Sequence, residues 1–454
     1  MTKKSVTILL TCFAAFICGL CASCAQSGNN VEPSLPVSAA AVTASPEPVI
    51  IEMENVPDTA TSEPTLIPTP EPTPEPTPTP TPEPVMRVDL SKDCKFSATQ
   101  KKCSPANLQD ASTRSNVILA DHVILTYSWD DAVPADALYY FSYVLPESFH
   151  VTQKASDGTL LSETNVMPER MCGLIPLEPD CRTVAIENNG RCQLNALKIF
   201  SRGTVLPRTA MYWTDENDTS PVDIMLFSAH IDDEILMMGG VFPINTALGR
   251  DCMLVYMKGN DEIRVLEGLL STWESGVTRR PVYCNFTSEA MQLALDNDGA
   301  AGLDGDKLGQ TVALIRRYKP LVIVTHDFEG EYGHEAHIKT NKLVLRAAEL
   351  AADEGYYPDS AAQYGTWQVQ KIYVHLYKER PLTLDIDAPL DAFGGRSANE
   401  VARDAFAYHK SQHYHWNYDS TSKKYPVGEY GLYFSTVGDD SGINDMMEHT
   451  HREG

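Results

Sequence analysis

Apolar and polar positions change rhythm twice along the chain. Between residues 25 and 85 large apolar side chains are scarce, and from Pro68 to Pro84 every second residue is proline, with Thr and Glu between. That composition predicts a Pro-rich disordered stalk in extended polyproline geometry, spanning 24–87. From 88 to about 205, runs rich in β-branched and aromatic residues (117–129, 138–145, 149–154, 183–187 and 194–201) alternate with turn signals such as Asp157-Gly158 and Asn188-Asn189-Gly190. No long helical period interrupts them, so an all-β sandwich is expected over 88–205. Beyond Val222 the pattern becomes strand-length apolar runs (222–228, 253–257, 282–286, 321–325, 372–376) separated by helical stretches (234–248, 263–275, 309–318, 337–352, 398–409). Uniformly apolar strands, each followed by a helix, predict an α/β Rossmann-like open parallel sheet within 206–454. In such sheets ligands bind beyond the carboxyl ends of the strands.

The first 23 residues read as an export signal. Lys3 and Lys4 precede an apolar run from Val6 to about Ala22, which ends in Cys21-Ala22-Ser23-Cys24. Small residues before a cysteine resemble a bacterial lipoprotein processing site, which would make Cys24 the acylated membrane anchor. Cys21 stands where leucine is usual, and an uncleaved signal anchor is the alternative. Either reading puts the body of the chain outside the cytoplasm, at the cell surface.

The net charge of −25 argues against a nucleic-acid partner, which needs clustered Lys and Arg. Of the 11 cysteines seven follow Cys24, an odd number that leaves at least one thiol unpaired. No CxxC pair lies in the folded region, which disfavours a thiolate metal site.

Two polar clusters follow predicted strands. One is Ala229-His230-Ile231-Asp232-Asp233-Glu234; the other runs from His326 through Tyr332-Gly333-His334-Glu335-Ala336-His337. His230 and Asp233 are three apart, as are His334 and His337, a spacing that projects side chains to one side. Two imidazoles and a carboxylate are a common catalytic zinc set with a fourth position open for water. One of the adjacent carboxylates Asp232 and Asp233 could ligate while the other acts as general base. A spare histidine could stabilise an oxyanion or protonate a leaving amine. The bland alternative is that the paired acids cap a helix.

Ala-His-Ile-Asp-Asp-Glu resembles the Ala-His-Pro-Asp-Asp-Glu motif of the PIG-L/LmbE-like N-acetylglucosaminyl deacetylases. Tyr332 to His337 resembles their Gly-His-Pro-Asp-His segment. Arg264-Val265-Leu266-Glu267 matches Arg-x-x-Glu, and His409-Lys410-Ser411-Gln412 a C-terminal His-x-Ser/Thr-Gln. The similarity covers about Val222 to Gln412. It implies a zinc N-deacetylase with one Zn2+ per chain held by His230, Asp233 and His337. Asp232 would be the base, His334 a charge stabiliser or acid, and Tyr332 a mobile tyrosine near the reacting carbonyl. Arg264 would hold sugar hydroxyls or a phosphate, while Glu234 and Glu335 would orient the site from behind. Ala336 replaces a family aspartate that supports the catalytic histidine.

The implied substrate is an N-acetylated amino sugar, GlcNAc-like. An amidase acting on a bulkier sugar amide, and a non-catalytic glycan-binding surface lipoprotein, are the alternatives. From spacing alone Arg264 and Glu267 could equally be a surface ion pair. His413, His415, His449 and His451 read as surface residues, and Gly299 and Gly302 as part of a mobile loop. Residues 192–203 faintly resemble the last strand of galactose-binding-like sandwiches. The segment 88–205 carries no catalytic constellation, so its loss is expected to spare small-substrate hydrolysis.

Overall fold

The computed structural model describes residues 85–452, apart from 111, 113–114, 131–133, 215–217, 260, 298–306, 420 and 422. The expected export signal, the Cys24 anchor, the stalk up to residue 84 and the loop around Gly299 lie outside the described residues; the stalk's expected end at 87 needs correction, because Met86 bridges Val205 and Arg87 pairs with Asp136. Among those described, no helix is long and apolar enough to cross a membrane, and none of the seven cysteines is joined to another.

The first half comprises β1 (Lys95–Ala98), α1 (Ala106–Gln109), β2 (Val117–Leu119), β3 (Ile124–Ser128), β4 (Ala135–Val144), β5 (Ser148–Lys154), β6 (Leu160–Val166), β7 (Cys172–Pro176), β8 (Thr183–Asn189) and β9 (Cys192–Ser201). They form two antiparallel sheets, β1-β3-β8-β5-β6 and β2-β9-β4-β7. Alternating residues of both sheets meet in one core, Leu125, Tyr127, Val151 and Ile186 against Leu138, Leu194, Leu197 and Ile199. β4 does not alternate, because six consecutive residues, Ala137–Ser142, are buried. Its second face, with Tyr139 and Phe141, packs with Phe200, Met211 and Trp213 against Leu269 and Leu270 of the second half. A strand apolar on both faces needs cover on both, and a helix supplies the second.

The second half contains β10 (Ile224–Ser228), α2 (Asp233–Leu236), α3 (Val241–Ala247), β11 (Cys252–Tyr256), α4 (Glu262–Glu274), β12 (Val282–Tyr283), α5 (Ser288–Asp296), α6 (Lys307–Tyr318), β13 (Val322–Thr325), α7 (Gly330–Gly333), α8 (Glu335–Leu350), α9 (Pro358–Tyr364), β14 (Lys371–His375), β15 (Pro381–Thr383), α10 (Ala398–Phe406) and β16 (Glu429–Ser435). The sheet order is β12-β11-β10-β13-β14-β16-β15. β10 explains the uniformly apolar strands, since Ile224 and Leu226 face one core cluster and Met225 and Phe227 the other.

Two expectations need correction. The sheet is mixed, not parallel throughout: it is parallel from β12 to β14, but β16 runs antiparallel to both β14 and β15. Gly431 makes that pairing possible, because a Cβ there would come within 2.5 Å of the Tyr377 carbonyl oxygen. The helix expected over 234–248 is broken into α2 and α3 by Gly239-Gly240. A Cβ at Gly239 would lie 2.6 Å from the Ile235 carbonyl oxygen and 3.0 Å from Ala402.

Candidate functional site

The carboxyl ends of β10, β13 and β14 gather the polar groups. After Ser228 the chain turns so sharply that Asp232 takes φ 153°, ψ −23°. L-residues avoid this region, and such strain concentrates at functional sites. Asp232 stands at the N-cap of α2, yet its side chain makes no capping hydrogen bond. Instead Asp232 Oδ1 accepts from Arg264 Nη2 at 2.9 Å. Asp233 turns the other way, and its Oδ2 accepts the backbone N–H of His230 at 2.8 Å.

Imidazoles converge on that same Asp233 oxygen. His230 Nδ1 lies 2.9 Å and His337 Nε2 3.1 Å from it. His337 Nε2 is buried and has no hydrogen-bond partner, so the 3.1 Å approach is a contact without N–H···O alignment. Two ligands of one tetrahedral ion at about 2.0 Å would stand roughly 3.3 Å apart, close to this spacing. Among the described residues, two sets of nitrogen and oxygen atoms sit close enough to share an ion: His230, His334 and His337, and Asp233, His326 and His337. In the second set His326 Nε2 already accepts the Ala229 N–H at 2.8 Å. That leaves Asp233, His230 and His337, with His334 alongside, as the residues whose donor chemistry fits a divalent cation.

His334 caps α8, its Nδ1 accepting from the Ala336 N–H at 3.3 Å. The neutral ring therefore carries its proton on Nε2. Burial, reinforced by the neighbouring imidazoles of His337 and His230, pushes the His334 pKa down to about 4. For His337 burial acts the same way, but Asp233 and Glu331 outweigh it and raise the imidazole to about 10. Burial, then the adjacent Asp233 charge, drives the Asp232 carboxyl well above its usual range, with Arg264 opposing. Burial would raise Asp233 as well, but His337 and His230 hold it well below.

A buried carboxylate that the sequence reading passed over stands behind His337. Glu331 Oε2 is 2.6 Å from His337 Nδ1, and Oε1 is 3.1 Å from His326 Nδ1 and 2.9 Å from His375 Nδ1. The available signals were Glu331 beside Tyr332, and His375 at the carboxyl end of a strand.

Of the other expected residues, Glu234 is buried and accepts at Oε1 from Ser271 Oγ (2.9 Å) with His409 Nε2 at 3.0 Å. Arg264 and Glu267 form no pair, because Glu267 accepts from the Ser411 backbone N–H (2.8 Å) and hydroxyl (2.6 Å). The expectation for Glu335 needs correction. Its carboxylate pairs with Lys339, one helical turn on, and is 70% exposed instead of buried behind His334. Tyr332 lies at the rim, 39% exposed, with ring centroids 5.5 Å from His334, 5.4 Å from Trp416 and 6.0 Å from Tyr425. His413, His415, His449 and His451 belong to neither imidazole set.

A largely parallel sheet thus gathers imidazoles and carboxylates at its strand ends, an arrangement able to hold a divalent cation. Residues 225–348 match the family described as PIG-L: GlcNAc-PI de-N-acetylase, the family that the motifs in this stretch resemble.

A 1D-myo-inositol 2-acetamido-2-deoxy-alpha-D-glucopyranoside deacetylase 1 of Catenulispora acidiphila is 31% identical over 198 residues, 37% of this chain and 60% of that one. A mycothiol S-conjugate amidase of Streptomyces coelicolor is 44% identical over 82 residues, 18% and 27% of the two chains. The chain spans between 24% and 60% of the length of the first curated relatives it matches. Among solved structures, the N,N'-diacetylchitobiose deacetylase of Pyrococcus horikoshii has 14% identity and a TM-score of 0.31 over 42% of this chain and 70% of that one.

Proposed function

We propose that this chain is an extracytoplasmic, zinc-dependent hydrolase that removes the N-acetyl group from an N-acetylated amino sugar. The carrying observation is the convergence of His230 and His337 on Asp233, with His337 Nε2 buried and unpartnered, beside a second carboxylate held separately by Arg264. His230, Asp233 and His337 would hold the ion; bound there, it would polarise an amide carbonyl, lower the pKa of an adjacent water and favour ionised neighbouring carboxyls.

Asp232 takes the proton from the attacking water as its oxygen bonds to the acetyl carbon. His334 faces the carbonyl oxygen with Nε2–H and hydrogen-bonds to it as it gains charge. When the C–N bond breaks, the proton on Asp232 passes to the leaving amine, giving acetate and a free amino sugar. Arg264 keeps Asp232 aimed, and its side chain, 25% exposed, can also meet a sugar hydroxyl. Tyr332, Trp416 and Tyr425 offer the apolar wall against which a sugar ring packs.

The wider reading follows the sequence. Cys24 tethers the chain to a membrane, residues 24–87 form the stalk, 88–205 a β-sandwich of galactose-binding-like type, and 206–454 a Rossmann-like catalytic domain. The intact His230, Asp232, Asp233 and His337 set speaks against a decayed, merely glycan-binding protein. The test measures acetate release from a panel of N-acetylated glycans, with and without added zinc, and the metal content of the protein. Release that zinc restores after chelation is expected; zinc retention without acetate release from any member would defeat the deacetylase reading.

A further inference from the structure

Glu331 occupies a position that makes little sense as ordinary loop chemistry. Its side chain is 0% exposed. Its backbone takes φ 58°, ψ −61° inside α7, a conformation that L-residues adopt at a cost. An ionised carboxylate is expensive to bury unless it is paired and its lone pairs are used. Here they are used fully. Oε2 takes His337 Nδ1 at 2.6 Å, and Oε1 takes His375 Nδ1 at 2.9 Å and the Asp327 N–H at 3.1 Å. His326 Nδ1 sits between the two oxygens, at 3.1 and 3.2 Å.

The far nitrogen of each ring decides what these contacts mean. His326 Nε2 accepts a backbone N–H from Ala229, so its proton is on Nδ1. His375 has its Nδ1 on Glu331 and its Nε2 3.2 Å from the Pro426 carbonyl oxygen. Glu331 and His375 are thus held together in one buried polar hub. His337 has Nδ1 on Glu331 and Nε2 free, facing Asp233. Fixing one imidazole nitrogen fixes the direction and tautomer of the other.

We propose that Glu331 is the positioning residue of the metal centre: one carboxylate that holds Nδ1–H of His326, His337 and His375 and so presents the bare Nε2 of His337 to the ion. The proposal rests on the reading of His337 as a ligand. His326 ties the hub to the end of β10 through Ala229, and His375 ties it to the end of β14. The ligand nitrogen is thereby referenced to two central strands as well as to the helix that carries it.

The test uses the full chain, stripped of metal by chelation and titrated with Zn2+ against a competing chromophoric chelator, and with Co2+ for its visible absorption bands. His337→Ala is the control for the underlying reading: metal bound as tightly as in the parent would overturn the ligand assignment itself. Given its loss there, Glu331→Gln is expected to weaken Zn2+ binding about 10- to 100-fold and to alter the Co2+ bands, as loss of an outer carboxylate does. His375→Gln removes another member of the hub that touches no ligand, and is expected to lower thermal stability while leaving the metal affinity near the parent's. Parent-like affinity and bands in Glu331→Gln would overturn the proposal, as would equal loss of affinity in both variants in step with lost stability. Should Glu331→Gln not fold, 15N–1H correlation of the histidine rings in the Zn2+-loaded parent decides: His337 protonated on Nδ1 alone supports the proposal, and a proton on Nε2 overturns it.

Discussion

Arg264 reaches from α4 across to the turn after β10, where its Nη2 donates to Asp232 Oδ1 at 2.9 Å and to the Ile231 carbonyl at 2.6 Å. One guanidinium thus braces both the candidate base and the strained backbone that carries it. Hydrogen bonds to charged groups contribute about 1.5–3 kcal/mol. Arg264→Met should therefore lower kcat by roughly 10- to 100-fold with metal content unchanged. Arg264→Lys should not rescue it, since an ammonium cannot reproduce the planar fork. A variant that loses only KM would show that Arg264 binds sugar without aiming Asp232.

Asp232 and His337 should separate chemistry from metal binding. Asp232→Asn is expected to keep the ion and lose on the order of a hundred- to ten-thousand-fold in rate. His337→Ala is expected to lose the ion as well. Metal content and turnover, measured on the same preparations, check both; a fully active Asp232→Asn protein would remove Asp232 from the mechanism.

How far the sequence carried this reading depends on how local each feature is. His230, Asp233, His334 and His337 were legible because each pair lies within one turn, in a polar cluster that begins where an apolar strand ends. Glu331 and His375 were not: they are 44 residues apart, and only the pairing of β13 with β14 brings them together. Glu335 was expected to orient the site, but its carboxylate pairs with Lys339, and the buried carboxylate arrives from Glu331 behind His337 instead. β15 and β16 escaped notice because 381–383 is short and 429–435 carries Gly431, which reads as a breaker until the crowding around it is seen. The burial of β4 on both faces was visible as an unbroken apolar run, but no pattern names the element that covers a second face.

That cover changes the expectation for 88–205. Leu269 and Leu270, on the helix that bears Arg264 and Glu267, share a core with Tyr139, Phe141 and Phe200. Removing the first half should therefore cost hydrolysis of small substrates too, against the sequence-based expectation. A gentler variant avoids wholesale exposure: Phe200→Ala should destabilise by about 3–5 kcal/mol, a fully buried aromatic lost. Urea unfolding should show the loss in one cooperative transition shared by both halves. Two transitions, with only one displaced, would mean the halves are energetically separate.

The last relationship concerns β14, the strand that delivers His375. Lys371 at its start is 0% exposed, with its ammonium on Asp440, whose Oδ2 also accepts from the Tyr373 hydroxyl at 2.8 Å. A buried ammonium is costly unless a carboxylate faces it, and here Asp440 does. Removing one partner of a buried pair strands the other, at a cost of about 3–5 kcal/mol, whereas replacing both is often close to neutral. Asp440→Asn should thus be severely destabilising, and Lys371→Met should be harmful too because it leaves Asp440 with only the tyrosine. The double variant should be more stable than the sum of the single losses implies, by at least about 1 kcal/mol, since the residues are in contact. Urea midpoints of the four proteins close the cycle. Strictly additive losses would mean that Lys371 and Asp440 are held by their surroundings and not by each other.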